Sequence, residues 1–191
     1  GWPVELRGVT ESIVTTNGSD GRWNVAALGL EAGDPVTART WGWTRTRRNF
    51  DREGRGYVQF TRDPLVFVEA ALGVTERDDP IIESAHAWAA VDVEPIGQGE
   101  TGGTTWVDWR VTPRESAILR RTVPTTNRGY NAVIEASVAA SRLDVDAYDR
   151  AKLLERLEYF ESVVERCGSE RTREAMARLF ELTPSLDRGD E

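Results

Sequence analysis

The sequence TARTWGWTRTRRNF at residues 37–50 changes its pattern halfway along. Its first half, up to Trp43, carries the β-branched and aromatic residues that favour a strand. From Thr44 onward the alternation disappears, Thr44 is a suitable N-cap residue, and Gly54 is a suitable C-terminal cap. The segment therefore predicts a strand that leads directly into a short helix.

The sequence on both sides of this segment predicts a small antiparallel β structure. Two strand-like runs precede it and are separated by the turn cluster NGSDG at 17–21, which is typical of a β-hairpin. After it come a helix with Asp63 as its N-cap and Pro64 at its first position, and a second hairpin with the turn QGETGG. The predicted strands are 12–16, 23–30, 35–43, 56–61, 87–97 and 104–113.

Beyond Pro124 the apolar residues recur at helical spacing instead. We therefore expect an α+β fold, with a small antiparallel barrel in residues 1–124 and a helical subdomain in residues 125–191. The last residues, TPSLDRGDE, are expected to form a disordered tail. The helices predicted in the subdomain are 131–143, 146–168 and 169–182.

The net charge of -8 makes the chain as a whole a poor partner for nucleic acid, because neutralisation of phosphates supplies most of that affinity. No apolar run approaches the roughly 20 residues that a membrane-spanning helix needs. The opening residues, GWPVEL, contain no secretory pattern. We expect a soluble, cytoplasmic protein that binds neither nucleic acid nor membrane.

Lysine is almost absent, since Lys152 is the only lysine among 24 basic residues, against 32 acidic residues. An acidic composition poor in lysine resembles that of proteins from salt-loving archaea, whose acidic surfaces keep them soluble. A GC-rich genome that favours arginine codons is the alternative. Either way, any site for an anion must be local.

The helix that begins after Thr44 is the candidate binding site. A strand that leads into a helix presents free backbone N–H groups there, which suit a phosphate. Thr44 and Thr46 would donate hydroxyl groups, while Arg45 and Arg48 would supply positive charge. The alternative is that these arginines simply pair with surface carboxylates of an acidic protein.

Tryptophans surround the same segment. Trp41 and Trp43 would point the same way in a regular strand, where they could line a cofactor or pack in the core or an interface. Trp106 and Trp109 would point to opposite faces, so at least one of them is expected in the core or an interface.

The remaining reactive side chains indicate neither a catalytic residue nor a metal site. His86 is the only histidine and Cys167 the only cysteine, so the sequence offers no Cys/His cluster for zinc and no internal disulfide. We assign no catalytic residue and expect no metal.

Several segments in a fixed order resemble the flavin-binding split-barrel superfamily. They are IVTTNGSDGRWNVAALGL at 13–30, then TARTWGWTRTRRNF, then GYVQFTRDPLVFVEAALG at 56–73. With PTTNRGYNAVIEASVAASRL following at 124–143, the chain more closely resembles the archaeal family catalogued as domain of unknown function 447. That family has a split barrel followed by a helical tail.

The resemblance implies a homodimer that binds FMN at its interface. Residues Asn24, Val25 and Ala26 would lie along the isoalloxazine ring. The ribityl phosphate would be held by residues of the third strand and the following helix. These residues are Thr40, Thr44, Thr46 and Asn49, together with Arg45 or Arg48.

The function that follows is an FMN-dependent oxidoreductase of unknown substrate, reduced by a nicotinamide or deazaflavin coenzyme. In such proteins the flavin carries the redox chemistry and the protein supplies binding and electrostatics. A non-catalytic flavin carrier would use the same residues. A protein- or RNA-interaction module that uses the arginines and tryptophans without a cofactor is the further alternative.

Overall fold

A computed structural model describes residues 1–186, and its contacts divide the chain into two units. The first unit comprises Gly1–Arg62 and Val74–Thr122. The second comprises Asp63–Gly73 and the chain from Val123 onward. The segment 63–73 lies inside the predicted barrel domain, 1–124, but groups by its contacts with the C-terminal helices.

The first unit is a closed antiparallel barrel of six strands. The strands follow one another in the order β1-β4-β6-β7-β3-β2, and β2 also pairs with β1, which closes the ring. The short strand β5 pairs with β2 outside the ring. The elements are β1 (Val9–Asn17), β2 (Trp23–Glu31), β3 (Thr37–Trp41), α1 (Arg45–Glu53), β4 (Arg55–Thr61), β5 (Thr75–Arg77), β6 (Ala85–Thr101) and β7 (Thr104–Ile118).

Alternate residues of these strands form the barrel core. Val14, Leu30 and Val58 are fully buried there, and Trp109 is 1% exposed. Phe50 of α1 belongs to the same core and meets the Trp109 ring edge-on, with 5.2 Å between ring centres. Helix α1 is therefore part of the barrel's hydrophobic core and not a surface addition.

The second unit consists of four helices around a separate core. Buried residues from different helices meet in that core, among them Val68, Val133, Leu157 and Leu179. Each helix starts at a side chain that accepts a backbone N–H: Asp63, Asn127, Asp149 or Ser169. The helices are α2 (Pro64–Leu72), α3 (Arg128–Ala140), α4 (Arg150–Cys167) and α5 (Glu170–Glu181).

The predicted α+β fold, a split antiparallel barrel with C-terminal helices, is confirmed. The six predicted strands and both inserted helices are present, although α4 begins at Arg150 and not at Asp146, because Asp149 provides the cap. Strand β5 was not predicted, since its three residues, TER, carry no strand pattern. Among the described residues no helix is long and apolar enough to cross a membrane.

The predicted disordered tail begins at Thr183, but the chain remains regular for longer. The Thr183 hydroxyl donates to the carbonyl of Leu179 at 2.7 Å, and Pro184–Leu186 forms a turn of 3-10 helix. Leu186 packs against the helical core. The rest of the predicted tail, residues 187–191, lies outside the described residues.

An ion pair joins α2 to α5 within the second unit. Arg171 donates from Nε to Asp63 Oδ1 at 3.0 Å and from Nη2 to Oδ2 at 2.7 Å. Burial by itself raises the pKa of the Asp63 carboxyl. Hydrogen bonds from Arg171 and from the backbone N–H groups of Val66 and Leu65 outweigh burial, so the pKa lies below its usual value.

We predict that Asp63→Asn destabilises the protein in a pH-dependent way. Asparagine can still cap α2, so the change removes mainly the charge that faces Arg171. Because the folded-state pKa of Asp63 is depressed, its stabilising effect is present above the unfolded pKa of about 3.9 and is lost as the pH falls through the folded pKa. Urea unfolding should show a difference of about 1 kcal/mol or less near pH 7 that shrinks below about pH 4.

Asp149→Asn is the comparison variant, because Asp149 also caps a helix but its cationic partner is the exposed Lys152 ammonium at 3.6 Å and not a bidentate guanidinium, so its replacement should cost less. A stability difference for Asp63→Asn that stays constant from pH 7 to pH 3 would contradict a charge effect.

The start of α3 passes so close to the junction of α4 and α5 that only glycine can be accommodated. A Cβ on Gly129 would lie 2.5 Å from the Cα of Gly168 and 2.8 Å from its backbone nitrogen. We predict that Gly129→Ala lowers the free energy of unfolding by about 1–3 kcal/mol, as overpacking does elsewhere. Gly97→Ala is the control, since its nearest contacts would be ordinary ones at 3.8–3.9 Å, and equal losses in the two variants would refute the packing explanation.

Candidate functional site

The turn between β3 and α1 depends on Gly42. Its φ of +68° lies in the region that glycine adopts readily and other residues rarely do. Its N–H donates to the carbonyl of Thr105 at 2.7 Å, which ties the turn to β7. Two residues later the Thr44 hydroxyl accepts the N–H of Arg47 at 3.2 Å, so the helix starts at Arg45 as predicted.

This turn sends Trp41 and Trp43 into different surroundings. Trp41 lies near the guanidinium of Arg39, and Trp43 near that of Arg47, 4.9 Å from ring centre to guanidinium carbon. Trp41 is 45% exposed and Trp43 is 62% exposed, so neither packs in the barrel core. The expectation that at least one of Trp106 and Trp109 is in the core is confirmed by Trp109.

Three of the predicted site residues form a buried polar cluster beneath α1. Asn24 Nδ2 donates to the Thr46 hydroxyl at 3.3 Å, which joins β2 to the first turn of the helix. Asn49 Nδ2 donates to the Thr16 hydroxyl at 2.9 Å, which joins the middle of the helix to β1. All four side chains are at most 7% exposed. The two hydrogen bonds tie α1 to two different strands and thereby fix its rotation against the barrel.

Sequence reasoning missed Thr16 as the fourth member of this cluster. Threonine is a common strand residue, so its position in SIVTT at 12–16 indicates a strand and not a hydrogen-bond partner. The contact spans 33 residues of sequence and cannot be inferred from local spacing.

Three further predicted residues lie in the barrel wall. The Thr40 hydroxyl accepts the indole N–H of Trp109 at 2.9 Å and is buried in the core. Ala26 packs against the same core, whereas Val25, its neighbour along the strand, points to the other face. The predicted triplet Asn24, Val25 and Ala26 therefore does not form one continuous surface.

The remaining predicted residues, Thr44, Arg45 and Arg48, are exposed at the start of α1. Arg45 forms an ion pair with Glu76 of β5. Arg48 donates only to the carbonyl of Trp43, at 3.5 Å, and forms no ion pair within residues 1–186. The alternative in which these arginines pair with surface carboxylates thus holds for Arg45 but does not describe Arg48.

Arg47 is a site residue that the sequence did not single out. Its Nη1 donates to the Gly42 carbonyl at 3.3 Å and to the Thr105 hydroxyl at 3.1 Å. Its Nε is buried without a hydrogen-bond partner among the described residues, and no carboxylate there neutralises its charge. The sequence placed Arg47 in the same arginine run, but only the rotation of the helix distinguishes it from Arg45.

Together these residues form what we call the anion cradle: Thr44, Arg45, Arg47 and Arg48. The first turn of α1 contains no acidic residue. The first N–H groups of a helix have no intrahelical acceptor, and the helix dipole is positive at this end. Two guanidinium groups without a carboxylate partner lie beside them, an arrangement that fits a phosphate monoester dianion.

In the described part of the chain, no three His, Cys, Asp or Glu side chains group closely enough to hold a metal ion. His86 and Cys167 are both half-buried, His86 on β6 and Cys167 at the last position of α4.

Comparison with solved structures finds a similar fold in an FMN-bound protein from Methanosarcina mazei of the DUF447 family. The two chains share 24% sequence identity with a TM-score of 0.78, over 93% of this chain and 96% of that chain. The styrene monooxygenase flavin reductase from Pseudomonas putida is more distant, at 16% identity and a TM-score of 0.42, over 58% of this chain and 79% of that one. A TM-score of 0.42 does not establish a common fold over the full chains.

Two family models match the sequence directly. One is described as protein of unknown function (DUF447) N-terminal domain and matches residues 10–120. The other is described as protein of unknown function (DUF447) and matches residues 127–181. The matches confirm the predicted resemblance over most of the chain, and this protein belongs to the DUF447 family.

Proposed function

We propose that this protein binds FMN through the anion cradle and acts as a flavin-dependent oxidoreductase. The observation that carries the proposal is the pair Arg47 and Arg48, two cations at a helix start whose charges no carboxylate neutralises in the described chain. The FMN bound to the Methanosarcina mazei protein, which has the same fold, supports this choice of ligand.

In this proposal the exposed and buried predicted residues have different roles. Arg47 and Arg48 hold the phosphate, assisted by the Thr44 hydroxyl and the backbone N–H groups of the first helical turn. Arg45 contributes less, because Glu76 already neutralises its charge. The buried residues position the helix and the adjoining strand without touching the phosphate. They are Asn24, Thr40, Thr46 and Asn49.

Because the protein is acidic, binding of a phosphate depends on the local charge of the cradle. A chain with a net charge of -8 repels a phosphate dianion at long range. Binding therefore requires cations that the protein's own acids have not neutralised, and Arg47 and Arg48 meet that requirement. When bound, FMN would supply hydride and electron transfer.

We also propose that the protein works as a homodimer and that a nicotinamide or deazaflavin coenzyme reduces its flavin. The resemblance to the split-barrel superfamily supports both statements. Asn24 and Val25 are both at most 7% exposed and Ala26 packs against the barrel core, so the ring would need a further surface. A second subunit could provide such a surface.

We predict that Arg48→Ala weakens FMN binding about tenfold or more, because a hydrogen bond to a charged group contributes about 1.5–3 kcal/mol. Riboflavin has the same ring but no phosphate, so its affinity should stay the same. Titration of flavin fluorescence with both ligands measures the two affinities.

Arg52→Ala is the matched control on the same helix. Arg52 lies in the last turn and is paired with Glu53 at 2.9 Å, so its loss should leave FMN affinity within about twofold of wild type. If Arg48→Ala weakened the binding of FMN and of riboflavin equally, the arginine would not contact the phosphate.

A second prediction concerns turnover. Anaerobic addition of a reduced nicotinamide or deazaflavin coenzyme to the FMN-loaded protein should bleach the visible flavin absorbance, and air should restore it. Stopped-flow absorbance measures the rate, with free FMN at the same concentration as the control. FMN binding without bleaching by either donor would contradict the oxidoreductase and leave a flavin carrier.

A further inference from the structure

A groove in the helical unit is large enough to hold a small molecule. A cavity of about 430 Å³ lies between α4, α5 and the turn of 3-10 helix at Pro184–Leu186. Small-molecule sites in proteins commonly have volumes of about 300–1,000 Å³. The residues that line it all belong to the second unit, so none of the residues that we assign to FMN takes part in it. We call this cavity the helical groove.

Part of the helical groove is apolar. Leu157 is 2% exposed and belongs to the helical core, and Phe180 and Leu186 pack against that core. Leu154, one turn earlier on α4, also lines the groove and is 37% exposed. A ligand that covered these side chains would remove apolar surface from water. This part of the groove therefore favours a molecule with an apolar body.

The same groove contains two acidic side chains. Glu158 and Glu161 both line it and lie three residues apart on α4, so they are neighbours on the helix surface. Glu158 forms neither a hydrogen bond nor an ion pair within residues 1–186. Its charge is therefore available to a cationic ligand.

Arg150 also lines the groove, but this cation already has partners. Asp144 lies 3.7 Å from its Nη1, which also donates to the carbonyl of Leu143 at 3.3 Å. Its Nη2 donates to the carbonyl of Ser185. Even when Arg150 is counted, the side chains that line the groove carry a net negative charge.

A hydroxyl group at one end of the groove lacks a partner. Ser185 lines the groove, and its Oγ is buried without a hydrogen-bond partner among the described residues. Buried polar atoms in proteins are usually hydrogen-bonded, because leaving one unpaired is costly. A ligand with a polar head could supply the missing hydrogen bond.

We propose that the helical groove binds a small organic cation, an ammonium or guanidinium group carried on an apolar body. The cationic head would pair with Glu158, and the body would cover Leu154 and Phe180, whose ring also attracts a cation. A second copy of the chain is a poorer occupant, because a two-fold contact would bring Glu158 close to its own counterpart. The proposal goes beyond the flavin function and does not depend on it.

Titration with phenethylamine, followed by two-dimensional amide NMR of the whole protein, tests the proposal. The amide signals of residues 154–161 and of the 3-10 turn should shift. Phenethyl alcohol has the same body but no charge, so it should bind about fivefold more weakly or worse. Glu158→Gln should weaken binding of the amine about fivefold and leave that of the alcohol unchanged.

Glu155→Gln is the matched control, because Glu155 is exposed on the same helix but does not line the groove. It should keep the affinity for phenethylamine within about twofold of wild type. Shifts at the groove that favour the amine and diminish in Glu158→Gln alone would support the proposal.

Equal affinity for amine and alcohol would overturn the proposal, since the groove would then select only an apolar body. Unchanged affinity in Glu158→Gln, or a wild-type protein whose signals do not respond, would also overturn it. Arg188→Ala then identifies a different occupant, because Arg188 is a cation two residues beyond Leu186 in the sequence. A groove that binds the amine only in this variant is occupied by the chain's own C-terminal residues.

Discussion

The attachment of α1 to the barrel through buried side-chain hydrogen bonds is the constraint on which the rest of this structure depends. Asn24 binds Thr46 and Asn49 binds Thr16, while Phe50 packs against Trp109 beside them. Buried polar groups are costly without partners, so these contacts allow one rotation of the helix and disfavour others. That rotation turns the opposite side of the helix to solvent, where Arg45, Arg48 and Arg52 follow one another at helical spacing. Buried amides and hydroxyls thus determine where the charges lie.

The arginines of α1 differ in whether a carboxylate neutralises them. This difference distinguishes a binding site from an ordinary solvated surface. Arg45 and Arg52 have carboxylate partners, as arginines on an acidic protein commonly do. Arg47 and Arg48 donate only to backbone carbonyls and a hydroxyl in the described chain. Since the first turn of the helix also lacks acidic residues, the positive potential of the helix start is left uncompensated there. A phosphate would complete the arrangement.

Much of the fold could be predicted because its decisive signals are local. The change from strand to helix at Thr44 and the start of α2 at Asp63 and Pro64 both depend on caps that a short window contains. The site could be predicted only in part, because helix rotation and long-range contacts decide it. The resemblance assigns Thr46 and Asn49 to the phosphate, and the structure places their side chains on the buried side of α1, where they bond to Asn24 and Thr16.

Other features could not be predicted, because single residues or distant segments control them. The positive φ of Gly42 separates Trp41 from Trp43, although their spacing suggested one face. The grouping of α2 with the C-terminal helices involves the pair between Asp63 and Arg171, which are 108 residues apart. The spacing of apolar residues within α2 gives no indication that Arg171 is its partner.

A crystal structure of the protein grown with FMN would show whether the anion cradle holds the flavin phosphate. The flavin phosphate should lie within hydrogen-bond distance of Arg47 and Arg48 and of the backbone N–H groups at the start of α1. Asn24 and Thr46 should remain bonded to each other beneath it. A phosphate bound elsewhere, with Arg47 and Arg48 still directed at the protein's own backbone, would contradict it.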